Sequence, residues 1–436
     1  MKKYNQITRK PRTEIVYLAS RAVKSIIKEI PKGTSYCIVI VLMAMMTGRL
    51  VSNKGSLARA VQPLVWQMKW GWHRVHRAME RGKVNIDEMI EKMNLWCKEN
   101  LEVEEVRMGK YEREVIAVDT STIARLRSGE KLALAAKAYW GKAGKAVKAN
   151  VVGVASKIVM IKGIRLGIVQ KVRFGSSCEN AIEKIFTEVE KTDRKKLIVV
   201  DAGIATKEQF SKATEKDALL GRLRINQKLR CEALKVKGKR GRPQLHGKII
   251  HPGYDKVEVM EDEKITLQSP EGEITIRRWN KLHFQEYPKV FIDVIRVDDP
   301  KYKKPLLVGT VARELTTEEF YQTYPMRWPI ETNFFVAQDS TAMDCPRAWT
   351  KNAIERRIGL SLLSGSLLQA LSASCDAIAV GPWDKQATPS AGRLARFLDI
   401  HSHSFLSLSL DGLSPLNYSK NQSYPFFNNL RGLLAA

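Results

Sequence analysis

The order of apolar and polar positions divides the chain into stretches of different texture. The first hundred or so residues read as helical. Within them Cys37 to Met46 (CIVIVLMAMM) is an unbroken apolar run, too short to cross a bilayer and so expected as a buried helix. Gly48 and SNKG break it, and GSLARAVQPLV follows as a short helix with Ser56 as candidate N-cap. In WQMKWGWHRVHRAMERGK, Trp72, Val75 and Met79 fall on one helical face and His73, Arg74, His76, Arg77 and Arg81 on the other.

From Glu114 the pattern changes. EVIAVDTSTI is β-branched and apolar and leads into Asp119, and two β-rich runs follow, Ala149 to Val159 and Ile164 to Val172. ENAIEKIFTEVEKT returns to helical spacing, with Ala181, Ile182, Ile185, Phe186 and Val189 on one face. KKLIVVDAGI reads as a buried strand ending in Asp201, and KEQFSKATEKDALL as another helix. Short alternating segments come next: KVEVME, KITLQS, EITIRRW and KVFIDVIRV, separated by turn-like EDE, PEGE and EYP. They predict an antiparallel β insert, expected as a separate layer beside the first sheet. KPLLVGTVA is a further strand, and TTEEFYQTYPMRWPIETNFFVAQDST opens a helical region running through Arg356 to Ala373. The Ser-, Leu- and Asn-rich end is expected as a loosely ordered helical tail.

These textures predict an α/β protein of five parts: 1–110 helical, 111–225 the first part of an α/β core, 226–305 a β-rich insertion, 306–372 the second part of the core, and 373–436 helical or tail.

Charge narrows the choice of partner. The 436 residues carry 73 Lys and Arg against 46 Asp and Glu, a net charge of +27 with pI near 9.8. A surface that positive favours a polyanion, nucleic acid above all. Lys131 to Arg173 holds ten basic and no acidic residues; Arg222 to Lys248 holds ten basic residues and a single acid, Glu232. In the second stretch Lys237, Lys239, Arg240 and Arg242 surround glycines, which suits a loop lying along DNA phosphates. Arg74 and Arg77 lie where a short helix followed by a basic helix has the outline of a helix-turn-helix reader; an ordinary amphipathic helix with a solvated basic face fits the same residues. The six cysteines show no C-x-x-C and no histidine at ligand spacing, which argues against structural zinc and against a disulfide framework. The N-terminus shows no apolar run behind its charges, so a soluble, cytoplasmic protein without membrane attachment is expected.

The candidate chemistry lies in carboxylates. Cutting a phosphodiester calls for cations that activate the attacking oxygen and stabilise the leaving one, and magnesium takes hard oxygen ligands. Asp119 and Asp201 each close an apolar strand, a position also common for a simple turn residue. In YPMRWPIE, spacings of three and four put Tyr324, Arg327 and Glu331 on one helical face. Pro325 and Pro329 move the helix start to about Pro329, with Glu331 in the first turn. An Arg–Glu surface pair beside a core tyrosine fits these residues too.

Tyr324, Arg327 and Glu331 match the first three positions of Y-x-x-R-x-x-x-E-x-x-x-x-x-x-K. The chain here resembles the bacterial insertion-sequence transposases of the DDE class that carry this signature. DTST at Asp119 is similar to that family's first-acid motif, VVDAGI at Asp201 to its second, and GRLRIN with KRGRPQLHG to a basic segment after it. The likeness covers about residues 115 to 372, with the acids 82 and 130 residues apart. It implies an RNase H-like mixed sheet flanked by helices and interrupted by a β-rich insertion. It also implies two Mg²⁺ ions (Mn²⁺ substituting) on Asp119, Asp201 and Glu331, which cut transposon ends and join them to target DNA. Double-stranded DNA, both the terminal inverted repeats and the target, would be the partner, with a homodimer in the synaptic complex and a place at the bacterial nucleoid. Arg327 would hold a phosphate near the cut, with Tyr324 positioning it.

Gln338 stands where the family has lysine, which removes a charge from a phosphate contact; Lys351 or Arg347 are nearby substitutes. If a flipped base is stacked during the reaction, Trp279 and Trp328 are the candidates, with a core role the alternative for each. A catalytically silent DNA-binding descendant, and a metal-dependent nuclease that does not join strands, are the competing readings.

Overall fold

The computed structural model describes residues 12–65, 72–126, 128, 132–191, 193–233, 244–255, 257–379, 384 and 388–413. The chain begins with helices α1 (Arg12–Ile27), α2 (Lys32–Met46), α3 (Arg49–Ser52), α4 (Leu57–Val65), α5 (His73–Arg81) and α6 (Ile86–Asn100). Strands β1 (Val103–Glu105), β2 (Arg107–Met108), β3 (Arg113–Ala124), β4 (Ala136–Trp140), β5 (Lys145–Ile161) and β6 (Ile164–Gly175) follow. Then come α7 (Cys178–Glu190), β7 (Lys196–Val200), α8 (Lys207–Lys212), β8 (Asp217–Arg222), β9 (Leu229–Arg230) and β10 (Ile249–Ile250). Strands β11 (Glu263–Ser269), β12 (Gly272–His283), β13 (Phe291–Asp298) and β14 (Leu306–Thr310) complete the sheet. Helices α9 (Thr317–Thr323), α10 (Trp328–Asp339), α11 (Lys351–Ser374), α12 (Ala391–Ile400) and α13 (Ser402–Leu410) close the described chain.

The protein is α/β, with one large mixed sheet flanked by helices. Its middle runs β6-β5-β3-β7-β8: the first three strands are antiparallel neighbours, and β7 and β8 add in parallel. Strand β7 is buried along its whole length, as an apolar strand covered on both faces must be. Alternation along β3 sends Val115 and Ala117 to one core and Ile116 and Val118 to the other. The first core is helical, built on α2, α10 and α11; the second includes Ile182, Ile185 and Val189 of α7 and Phe210 of α8. Helix α2 is buried at every position from Cys37 to Met46, which is why that run carries no polar residue. Among the described residues no helix is long and apolar enough to cross a membrane.

Three expectations need correction. KEQFSKATEKDALL is not one helix: α8 stops at Lys212, and Asp217–Arg222 is strand β8. The turn between them is held by the Asp217 N–H, which donates to Thr214 Oγ1 at 3.0 Å, and by the buried Lys196–Asp217 pair (2.8 Å) at matching positions of β7 and β8. KVEVME is not a strand in its described part, Val257–Glu261; Val257 and Val259 pack their side chains into the second core instead. The strands between 226 and 305 do not form a separate layer. β14 pairs edge-on with β8, β13 with β14 and β12 with β13, so these strands prolong the same hydrogen-bonded sheet. An exposed β8 edge would leave its backbone groups unpaired, and continuation satisfies them. The tail residues 414–436 and Lys237, Lys239, Arg240 and Arg242 lie outside the described residues.

Candidate active site

Two of the three acids are brought together by sheet register alone. Ala117 of β3 is paired with Val199 of the parallel strand β7. Two residues further along each strand come Asp119 and Asp201, on the same face as Ala117 and Val199 because side chains alternate with period two. Asp201 follows directly on the end of β7, as expected. Asp119 does not end its strand: β3 continues to Ala124 through its pairing with β5, and only the β7 side has stopped at Asp119.

The third acid arrives on a helix packed over that face. Thr316 caps α9 with a reciprocal Thr316–Glu319 box. Tyr324–Arg327 forms a 3-10 turn, and α10 begins at Trp328, with Pro329 in its first turn where a missing N–H costs nothing. Glu331 therefore lies in the first turn of α10. The helix is held down by a buried chain of amides: Gln369 of α11 donates to Asn333 Oδ1 (2.8 Å), and Asn333 donates to Ser156 Oγ on β5 (2.9 Å).

Arg327 joins the parts. Its guanidinium is 2.6 Å from Glu331 Oε1 and 3.8 Å from Asp119 Oδ2, and its side chain is only 6% exposed. Its Nε is buried with no hydrogen-bond partner, a donor left over for an anion. Tyr324, also buried, donates its hydroxyl hydrogen to Asp201 Oδ1 at 3.2 Å. The Thr120 N–H donates to Asp119 Oδ1 at 2.7 Å.

The electrostatics are those of a crowded anionic site. Burial raises the Asp119 pKa to about 6, and the negative charges of Asp201 and Glu331 add to the rise against the pull of the Thr120 N–H and Arg327. Tyr324 is raised by burial and by the Asp201 charge. Burial works to lower the Arg327 pKa, yet the hydrogen bond to Glu331 and the surrounding charges raise it on balance. Among the described residues no three His, Cys, Asp or Glu side chains form a ready-made metal cage. The guanidinium of Arg327 contacts two of the three carboxylates in that space.

The remaining predicted residues are scattered. Gln338, seven residues beyond Glu331 on α10, brings Nε2 within 3.5 Å of Ser121 Oγ on β3. Trp328 is 55% exposed, with its ring 5.2 Å from the Arg327 guanidinium carbon. Trp279 is corrected: it is 1% exposed, and its indole N–H donates to the Val259 carbonyl, so it is a core residue that no base can reach. Arg74 and Arg77 are exposed on α5, whose Val75, Ala78 and Met79 are buried; residues 66–71, between α4 and α5, lie outside the described residues. None of the six cysteines forms a disulfide.

Basic walls stand on either side of the acids; sequence reasoning named Arg347 and the GRLRIN segment with Arg222 and Arg224, and missed Lys54, Lys142 and Lys304. A groove of about 820 Å³ next to Asp201 is lined by Ala202, Arg222, Arg224 and Lys304. A second cleft, beyond Gln338, is lined by Lys54, Lys142 and Arg347. For Lys142 the signal was the lopsided charge of the 131–173 stretch, which marks a region without marking residues; Lys54 and Lys304 lie outside both basic stretches. No protein-family model and no curated protein matches the chain.

Proposed function

We propose that the chain is a DNA transposase of the DDE class, which cuts DNA at the ends of a mobile element and joins the freed 3′-OH to target DNA. One observation carries the reading: Asp119, Asp201 and Glu331, distant in sequence, gather around Arg327 and Tyr324, two of them in register on parallel strands. The reading takes β6-β5-β3-β7-β8, with helices on both faces, as the five-strand sheet of an RNase H-like core. It takes residues 226–305 as the β-rich insertion between the last core strand and Glu331.

The donor set fits magnesium. All three side chains offer hard oxygens, and the raised Asp119 pKa reflects burial first and then the neighbouring Asp201 and Glu331 charges, which Arg327 only partly offsets. Bound by Asp119, Asp201 and Glu331, two Mg²⁺ ions, or Mn²⁺ in their place, would supply the activation of attacking and leaving oxygens that phosphodiester chemistry needs. The chain's own residues do the rest. Tyr324 fixes the orientation of the Asp201 carboxylate. Arg327 offers its free Nε to a phosphate oxygen beside the acids. Ser121 and Gln338 line the approach along β3 and α10. Arg222, Arg224 and Lys304 give the neighbouring groove a positive wall for the backbone of duplex DNA, inverted repeat or target. A homodimer bringing two ends together belongs to the same reading.

A second reading, a DNA-binding protein without catalysis, draws on the Arg327 contacts to Asp119 and Glu331, since ion pairing alone gives those carboxylates a structural use. The test is metal-dependent nicking of supercoiled plasmid, followed by joining of a 3′-OH oligonucleotide. Transposition chemistry gives both products, a nuclease only the first, and a binding protein neither.

A further inference from the structure

At the start of β5 the sheet narrows to two strands. The pairing of β3 with β5 ends at Ala124–Ala149, and that of β6 with β5 begins at Val151–Gly175. Strand β4 pairs with the first residues of β5 in a register that runs from Ala136–Ala149 to Trp140–Lys145. The two form a ribbon that carries the sheet onward beyond Ala124. A 3-10 turn, Gly141–Ala143, closes its tip. Apart from the chain neighbours, no described atom lies within 4 Å of where a Cβ would stand at Gly141 or Gly144. The tip projects.

Alternation with period two gives the ribbon two unlike faces. On one, Ala136, Ala138, Val147 and Ala149 are buried together with Ala181 of α7. Helix α7 is itself seated closely on β6: a Cβ at Gly175 would meet the Ala181 nitrogen at 2.5 Å. The base of the ribbon is therefore firmly backed. The other face sets Lys137 directly opposite Lys148, and Tyr139, 65% exposed, opposite Ala146. Lys142 and Lys145 are exposed at the tip. Like charges directly across two strands work against the pairing, and the sequence from Lys131 to Arg173 has no acid to offset them. A bound polyanion would relieve that repulsion.

We infer that the exposed face and tip of this ribbon grip the phosphate backbone of duplex DNA to one side of the bond that is cut. Lysine ammonium groups and a tyrosine hydroxyl all donate to phosphate oxygens. Lysine binds phosphate as a point charge, and the face has no Arg, Asn or Gln to fork onto a base edge. The contact positions the duplex without reading its sequence. Strand length sets where it falls. At about 3.3 Å per residue, Ala124 is roughly 17 Å along β3 from Asp119, and the Trp140–Lys145 pair is roughly 13 Å further on. Those lengths correspond to about five to nine base pairs of duplex at ~3.4 Å each. The place beside the cut bond rests on the proposed function; the grip on duplex DNA does not.

The experiment measures the affinity of the full chain for duplex DNA, in chelator, across a salt series. One variant combines Lys137→Gln, Lys142→Gln and Lys145→Gln. A control combines Lys110→Gln, Lys195→Gln and Lys216→Gln, which remove the same charge from the turns leading into β3, β7 and β8, at the end of the sheet away from Asp201. The ribbon variant is expected to flatten the slope of log affinity against log salt by roughly 2–3, at about 0.9 per lost phosphate contact. The loss should be the same on unrelated DNA sequences, and the control should stay within about 0.5 of the wild-type slope. An unchanged slope in the ribbon variant, an equal fall in both variants, or a loss confined to one DNA sequence would overturn the inference. Plasmid nicking with Mg²⁺, run in parallel, separates the two readings. A wild type that never nicks, with the slope lost in the ribbon variant, leaves the ribbon standing and removes the transposase reading. A wild type that nicks, with the slope unchanged, removes the ribbon alone.

Discussion

Tyr324 donates its hydroxyl hydrogen to Asp201 Oδ1 at 3.2 Å, across 123 residues of chain. The contact ties the turn before α10 to the end of β7, so the acid on the sheet and the acid on the helix are set by one local geometry. A charged acceptor makes this a bond of about 1.5–3 kcal/mol. Tyr324→Phe keeps the buried ring and removes only the hydroxyl. The expected result is a loss of roughly 10- to 100-fold in the DNA-nicking rate. Urea denaturation should move little, because the freed carboxylate oxygen still meets solvent. A variant that nicks at the wild-type rate would deny Tyr324 any role in orienting Asp201.

On the proposed reading Asn333 positions α10 and takes no part in the chemistry itself. Asn333→Ala leaves Ser156 and Gln369 without their buried partner, at a cost of about 1–3 kcal/mol read by chemical denaturation. With the clamp gone α10 loses its anchor to β5 and α11, so nicking should fall further than the lost stability explains. Gln369→Ala, which acts on the same chain from the other end, should reproduce the pattern in weaker form.

The raised Asp119 pKa makes a prediction about stability in chelator, with metal removed. Unfolded, an aspartate titrates near 3.9; folded, Asp119 titrates at about 6. Between those values the folded state binds more protons than the unfolded one, so Asp119 favours the fold at low pH. Its contribution is lost as pH rises through that window, by roughly 2–3 kcal/mol at most. Asp119→Asn cannot ionise and should flatten that part of the pH–stability curve, gaining stability over wild type at pH 7. A variant curve parallel to wild type from pH 4 to 7 would mean the carboxylate is not perturbed.

Far from the acids, the Lys196–Asp217 pair is buried at the other end of β7 and β8, with side chains 1% and 10% exposed. Lys196→Met strands a buried carboxylate and should cost about 3–5 kcal/mol; adding Asp217→Leu should recover much of it. Urea unfolding of the two variants measures both. If the single substitution is harmless, the pair does not hold the parallel strands in register.

Much of this was legible because short signals were unambiguous. Lys196–Val200 is too short for a helix and too apolar for a loop, and the prolines of YPMRWPIE fix where α10 starts. Asp217–Arg222 was lost because a short apolar run after helical spacing has no periodicity of its own; its strand identity comes from pairing with β7 and β14. The extension of the sheet beyond β8 was equally invisible, since alternation predicts strands and says nothing about which edge they join. Trp279 was left between base stacking and the core because an aromatic residue in a strand looks the same whether it faces solvent or core; here the Val259 carbonyl supplies the partner that allows its burial. Lys54 and Arg347 are 293 residues apart, and nothing local links them until the Gly55 turn meets Cys345.

The central claim is that Asp119, Asp201 and Glu331 act together in metal-dependent DNA cutting and joining. Its most direct test is plasmid nicking and oligonucleotide joining with Mg²⁺, Mn²⁺ or chelator, using wild type, Asp119→Asn, Asp201→Asn and Glu331→Gln. The account predicts nicked and joined products with either metal and none in chelator. Each substitution should lower both products by at least about 10³-fold while DNA affinity stays within about threefold, since affinity comes from dispersed cations. Products that persist in chelator, or in any one of the three variants, would contradict it.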